Sequence, residues 1–225
     1  DHSMFPRRQR QGKAQNMGQI SVETCRPAGS VLNANQQSQD GIDVLLEILA
    51  LLRHKHGVDD FHALLIGEGP ELEASRALAG RLGLNDHVTF TGYLSGDALK
   101  RALSSIDIGL CPDPYNDYTR RCTMNKIMEY MAFSKPLVQF DLDEGRFSAQ
   151  DASLYAPRDD MDAFARCIIQ LINDPGLRAR MGEIGRARIE AVLNWDAEIP
   201  PLLAAFERAL GSSVADEKQE MRAVP

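Results

Sequence analysis

The sequence predicts an α/β fold: a doubly wound, Rossmann-like parallel sheet with extra helices at its C-terminal end. Three observations predict it. From Gly41 to Phe140 short apolar runs alternate with amphipathic stretches of 10 to 15 residues. That alternation implies right-handed βαβ units whose parallel strands are covered on both faces. Each apolar run ends in a glycine-rich or polar loop, and the 225 residues, 44% of them hydrophobic, suffice for one proper core.

Residues 1 to 30 read as poorly structured. Arg7, Arg8, Arg10 and Lys13 form a small basic cluster, and Gln, Asn and Ser then dominate with few apolar residues at any period. A short strand near Val31 and Leu32 opens the folded part, expected over residues 31 to 211. Asp40 is placed to cap a helix marked by Ile42, Leu45, Leu46, Ile48, Leu49 and Leu52, which ends in the basic turn Arg53 to His56 before Gly57. Phe61 to Ile66 reads as a strand stopped by Gly67-Glu68-Gly69-Pro70, and Glu71 to Leu82 as a helix stopped by Gly83. His87 to Phe90 is the next strand, Ser95 the cap of a helix through Leu103, and Ile106 to Leu110 a strand opening into Pro112-Asp113-Pro114.

Asp113 to Asp141 then joins an irregular polar loop, a short helix and the strand Pro136 to Phe140. In that helix Met124, Ile127, Met128 and Met131 fall at i, i+3, i+4 and i+7, a core-facing stripe. Leu154 and Tyr155 supply one more short strand. Helices follow over Met161 to Ile172, Pro175 to about Val192 and Asp196 to Leu210, with Asn194 as a cap and Trp195 as an apolar anchor. Residues 212 to 225 read as a polar, frayed tail.

The bulk numbers exclude several functions. A net charge of −7 with no large basic block argues against a nucleic-acid partner. The four cysteines are widely spaced, without a CxxC pair or histidines at ligand spacing, so neither a zinc site nor a disulfide framework is expected. No apolar run reaches the roughly 18 to 20 residues of a membrane span, and no signal-peptide core opens the chain. A cytoplasmic protein with at most peripheral membrane association fits.

In a doubly wound sheet ligands sit beyond the C-terminal ends of the strands. The loops that arrive there are Gly67 to Pro70, Thr91 to Leu94, Cys111 to Cys122 and Asp141 to Arg146. Gly67-x-Gly69 after a strand invites a dinucleotide reading, but the third glycine of that fingerprint is Leu72, so the pair reads as a tight strand-to-helix turn. No histidine pairs with a nucleophile by recognisable spacing, and the cysteines read as small hydrophobes. One helix turn presents Asn125, Lys126 and Glu129 on a shared flank. Lys126 and Glu129 could be an ordinary i, i+3 surface pair. The long polar loop before them favours a ligand instead, because free N–H groups at the helix start can bind phosphate.

The segments GIDVLLEILALL, LLIGEGPELE, LGLNDHVTFTGYL, ALSSIDIGLCPDP, MNKIMEYMAFSKPLVQFDL and the closing NWD helix resemble the C-terminal, donor-binding half of GT-B glycosyltransferases of the retaining family 4. The resemblance runs over residues 31 to 210. It implies that Glu129 holds the ribose hydroxyls of a nucleotide-diphosphate sugar. By the same resemblance Thr123, Met124, Asn125 and Lys126 face the phosphates, Gly92, Tyr93 and Leu94 lie against the base, and Gly67 and Gly69 let backbone approach the nucleotide. No metal or other cofactor is implied, since a helix dipole and an ammonium can stabilise a diphosphate leaving group.

Two departures stand out. Family members usually carry a second glutamate eight positions before the ribose glutamate, where this chain has Arg121, and the usual basic residues of the family's first loop are replaced by Asn33 to Asp40. A GT-B enzyme also needs an acceptor-binding domain, which residues 1 to 40 are too short to form. The expected function is therefore the donor-binding half of a glycosyltransferase, active with an acceptor domain supplied upstream or by another chain. The alternative is a non-catalytic remnant that only binds nucleotide or a partner.

Overall fold

The structure is a computed structural model that describes residues 19–23 and 41–220. Six strands form one sheet: β1 (Gln19–Glu23), β2 (His62–Ile66), β3 (Val88–Gly92), β4 (Ile108–Cys111), β5 (Leu137–Phe140) and β6 (Ser153–Ala156), in the spatial order β3-β2-β1-β4-β5-β6. The pairs β2–β3, β4–β5 and β5–β6 are parallel, as the alternating sequence predicts. β1 is not: it runs antiparallel to both β2 and β4, so the sheet is mixed at its centre. It also lies within the segment read from sequence as poorly structured. The strand expected near Val31 and Leu32, and Asp40 as a cap, fall outside the described residues.

The helices are α1 (Ile42–Ala50), α2 (Leu72–Arg81), α3 (Gly96–Ser105), α4 (Asn125–Ala132), α5 (Asp143–Ala149), α6 (Met161–Asn173), α7 (Pro175–Ala191) and α8 (Trp195–Glu220). α1 starts from Gly41, whose φ of +65° suits glycine, and continues as a π-helical turn over Leu51–Lys55. Ser95 takes the N-cap position of α3, but its side chain accepts no capping bond. Asp160 and Asp174 do cap, accepting from Ala163 N at 2.8 Å and Leu177 N at 2.7 Å. Asn194 caps α8 as its sequence position suggests, accepting from Ala197 N at 3.0 Å.

Both faces of the sheet are covered, and the period-2 alternation of strand side chains sorts them. Ile108, Leu110, Val138 and Phe140 join Leu45, Leu46, Leu49, Phe164 and Ile168 on the face of α1 and α6. Cys111 and Leu137 join Leu103, Ile127, Tyr130 and Met131 on the face of α3 and α4. β4 and β5 are buried at every residue, which is why they read as continuous apolar runs.

Three further differences have local causes. The loop expected from Asp141 to Arg146 gives way at Asp143 to α5, whose Gly145 weakens the helical signal; a Cβ there would stand 2.3 Å from Gln139 Oε1. α8 continues through residue 220, past the expected start of a frayed tail at 212. Trp195 anchors nothing among the described residues: it is 67% exposed, and Leu202, Leu203, Phe206 and Leu210 are exposed with it. No described helix is long and apolar enough to cross a membrane.

Candidate functional site

The site is built on α4, and glycines fix where that helix lies. Gly109 of β4 leaves room for the fully buried Tyr130 ring, because a Cβ at 109 would sit 2.5 Å from Tyr130 Cδ2. On the opposite side α7 approaches through Gly185, 3.0 Å from Met131 Cγ by the same measure, and Gly182, 2.1 Å from Ser134 O. The helix ends in a Schellman arrangement, with Ser134 left-handed at φ 55°, Ser134 N donating to Met131 O and Lys135 N to Tyr130 O, both at 2.9 Å. Lys135 Nζ then donates to Ser104 O (2.9 Å) and Ile106 O (2.6 Å), closing the C-terminus of α3. Burial lowers the Lys135 pKa, and the nearby Asp107 opposes that shift.

This clamp sets the side chains of the first two turns. Met124, Ile127 and Met131 are buried as the stripe predicts, whereas Met128 is only half-buried and Tyr130 is fully buried. Lys126 is 4% exposed. Its Nζ meets Asp113 Oδ1 at 2.5 Å, with both side chains almost wholly out of solvent, so the ordinary surface pair with Glu129 does not form. A buried ion pair broken on one side costs about 3–5 kcal/mol, which makes Asp113 part of the site's frame. Asp113 follows a fully buried strand and lies in an obviously polar loop, but its pairing with Lys126 has no sequence signal.

Glu129 behaves differently. Its Oε2 is buried and has no hydrogen-bond partner among the described residues. Burial alone raises its pKa above the ordinary glutamate value. A desolvated carboxylate oxygen with nothing to accept is costly unless a ligand donates to it. Hydroxyl or N–H groups of a bound molecule are donors that could satisfy it.

The loop leading into α4 is held rigidly. Asn116 Oδ1 accepts from Tyr118 N (2.9 Å) and Thr119 N (2.8 Å), and the buried Thr119 hydroxyl donates to Pro114 O (2.6 Å). Arg120 reaches Asp117 at 2.9 Å and Asp143 at 3.3 Å, and Thr123 Oγ1 donates to Glu144 Oε1 at 2.9 Å, so the loop is fastened to the start of α5. Arg158 lies 4.1 Å over the Tyr115 ring and also bonds Asp143. Gly41 packs against the same loop: a Cβ there would sit 2.2 Å from Pro112 O. The N-terminus of α1 therefore abuts the loop that carries Asp113.

The sequence-predicted residues fall into two groups. Thr123, Met124, Asn125, Lys126 and Glu129 lie together at the start of α4, with Thr123 and Asn125 exposed. Gly67 and Gly92 form the other group, joined by Gly67 N to Gly92 O at 2.9 Å; Gly92 has φ +71°. Gly69 O accepts from Leu72 N as α2 begins, and Tyr93 is half-exposed. The groups meet through the core, where Leu94 and Ile66 pack in one cluster with Met124 and Cys111. Burial pushes the Cys111 thiol pKa up, away from a nucleophile's range. Among the described residues no three His, Cys, Asp or Glu side chains gather as metal ligands. Two surface depressions of about 450 and 540 Å³ lie elsewhere, one around Leu51, His54 and Met161 and one along α3.

The model of the family described as glycosyl transferases group 1 matches residues 29–174. The chain belongs to this family. The match covers the sheet from β2 through β6 and all of α4, so the clamped helix lies within the matched region. A GDP-mannose-dependent alpha-(1-6)-phosphatidylinositol monomannoside mannosyltransferase of Mycobacterium tuberculosis is 28% identical over 176 residues, 75% of this chain and 44% of that protein. Two solved structures share the fold. The S. aureus TarM structure in complex with fondaparinux, alpha-GlcNAc-glycerol and UDP has a TM-score of 0.68 at 19% identity, over 79% of this chain and 35% of that one. The C-terminal domain of a glycosyl transferase group 1 family protein (LpcC) from Francisella tularensis has a TM-score of 0.59 at 17% identity, over 74% of this chain and 85% of that domain. The group 1 chain thus spans less than half the length of the curated relatives it matches.

Proposed function

We propose that this group 1 chain is the donor-binding half of a retaining family 4 glycosyltransferase. It takes its sugar from a nucleotide-diphosphate donor and works with an acceptor-binding domain supplied outside the described residues. The observation that carries the reading is Glu129: a carboxylate oxygen buried without a partner, on a helix clamped between a sheet and a second helix. In this reading Glu129 accepts from the ribose hydroxyls, and the helix start at Thr123, Met124, Asn125 and Lys126 faces the diphosphate. Gly67, Gly69, Gly92, Tyr93 and Leu94 form the wall against the nucleoside. Asp113 holds Lys126 in place, so α4 keeps its position as the donor enters. The UDP of the TarM structure and the GDP-mannose in the relative's name support a nucleoside diphosphate as the ligand class.

The test is calorimetric titration of the whole chain with UDP, GDP and ADP, beside their 2′-deoxy forms. One nucleotide should bind, and Glu129→Ala should weaken it by about tenfold, the worth of a charge-assisted hydrogen bond. The 2′-deoxy form should lose affinity for the native chain and little for the variant. Equal binding by Glu129→Ala, or no binding of any diphosphate, would remove the assignment.

A further inference from the structure

The loop before α4 and its first turn carry three cations, and their charges are not equally available. Lys126 is matched by Asp113 at 2.5 Å inside the protein. Arg120 is matched twice, by Asp117 at 2.9 Å and Asp143 at 3.3 Å. Arg121 is exposed, and its guanidinium makes no hydrogen bond or ion pair with any described residue. A matched pair presents little net field to a third charge a few ångströms away, whereas an unmatched guanidinium presents a full one.

The backbone of Arg121 is nevertheless fixed. It closes a 3₁₀ turn, Thr119–Arg121, with Arg121 N on Tyr118 O at 3.1 Å and Cys122 N on Thr119 O at 3.3 Å, and the Asn116 side chain locks the turn from behind. Only Cys122 and Thr123 separate Arg121 from Met124 at the N-cap of α4, a span of at most about 11 Å. The turn that ties Arg120 down thus leaves its neighbour's fork without a partner among the described residues, three positions ahead of the N-cap of the helix that carries Glu129.

We propose that Arg121 is a donor-binding residue, supplying the uncompensated positive charge that meets the diphosphate of the nucleotide sugar. The proposal rests on the donor-site reading above. A guanidinium suits it because its planar fork can bond two phosphate oxygens at once. It also gives the chain's departure from a carboxylate at this position a function: with the Lys126 charge neutralised internally, the full positive charge at the phosphates comes from the loop, beside the start of the helix.

The experiment is titration of the 225-residue chain with UDP and GDP at low and moderate salt, with uridine and guanosine as phosphate-free controls. Arg121→Ala should weaken the bound diphosphate about tenfold and flatten its salt dependence. Arg121→Glu should weaken it further, and Arg120→Ala should change it less than Arg121→Ala. Affinity for the matching nucleoside and the thermal midpoint should stay at native values. Diphosphate binding by Arg121→Ala at native affinity and salt slope would overturn the proposal while leaving the Glu129 assignment standing. If the native chain bound neither diphosphate, the donor-site reading itself would fall, and the Arg121 proposal with it.

Discussion

Gly109→Ala tests whether the position of α4 is set by the missing side chain beneath it. The new Cβ would lie 2.5 Å from Tyr130 Cδ2 and 2.6 Å from Cγ. Carbon atoms pack at about 3.5–4.0 Å, so ring and strand must separate by about 1 Å. The ring cannot swing into solvent, since Tyr130 is fully buried, and α7 blocks retreat on the far side through Gly182 and Gly185. Overpacking of a closed core costs about 1–3 kcal/mol, which for a domain of this size lowers the thermal midpoint by about 2–12 °C. Thermal unfolding followed by circular dichroism reads that shift. Adding Tyr130→Leu should recover part of it, because the smaller side chain relieves the same contact and the two changes are coupled. Because Glu129 neighbours Tyr130 on the helix, nucleotide affinity should fall in the single variant even where the protein is fully folded. An unchanged midpoint in Gly109→Ala, or a double variant no better than the single, would refute the clamp.

Two pH experiments follow from the charged groups. Burial raises the Glu129 pKa above its usual 4.5, so the folded chain holds that proton more tightly than the unfolded one, and this residue's contribution makes stability fall as pH climbs from about 4.5 through the raised value. Glu129→Gln should remove that slope in urea unfolding across this range; a slope identical to the native one would contradict it. Asp162 is shifted the other way, from 3.8 to about 2, by hydrogen bonds from Lys55 and His56 and by the nearby charge of Arg166. Its contribution is present above about 3.8 and lost as pH falls to about 2, so Asp162→Asn should unfold with a shallower acid dependence in that window. Native-like acid sensitivity in that variant would refute the role of this cluster.

Much of the fold was legible because its signals are local. β4 and β5 read as strands from uninterrupted apolar residues, and Met124, Ile127 and Met131 fixed the inward face of α4. The less legible features depend on partners far along the chain. Gln19–Glu23 alternates polar and apolar residues as a strand should, yet it is short, and its pairing with β2 and β4 is set by residues 40 to 90 positions away. Lys126 looks like a surface cation on a helical wheel; only Asp113, brought in by the loop after β4, makes it an interior one. Tyr130 looks out of register with the core stripe until Gly109 opens a slot for its ring. In the site, Glu129 was identifiable from its motif, but its unpartnered oxygen is a property of packing. The contrast between Arg120 and Arg121 likewise needed the positions of Asp117 and Asp143.

The reversed central strand has a consequence for how the molecule assembles. β2 and β4 do not pair with each other; each pairs with β1, so the ladder consists of a two-stranded and a three-stranded piece until Gln19–Glu23 is inserted between them. Both pieces then carry an open inner edge of unsatisfied N–H and C=O groups, the template on which foreign strands add. Insertion joins residues as distant as Ile20 and Leu110 and carries the loop-closure cost of a late, slow step. The window in which this chain is vulnerable to aggregation is therefore the interval before five residues near its beginning find their slot, whatever the intrinsic stability of the helices on either face.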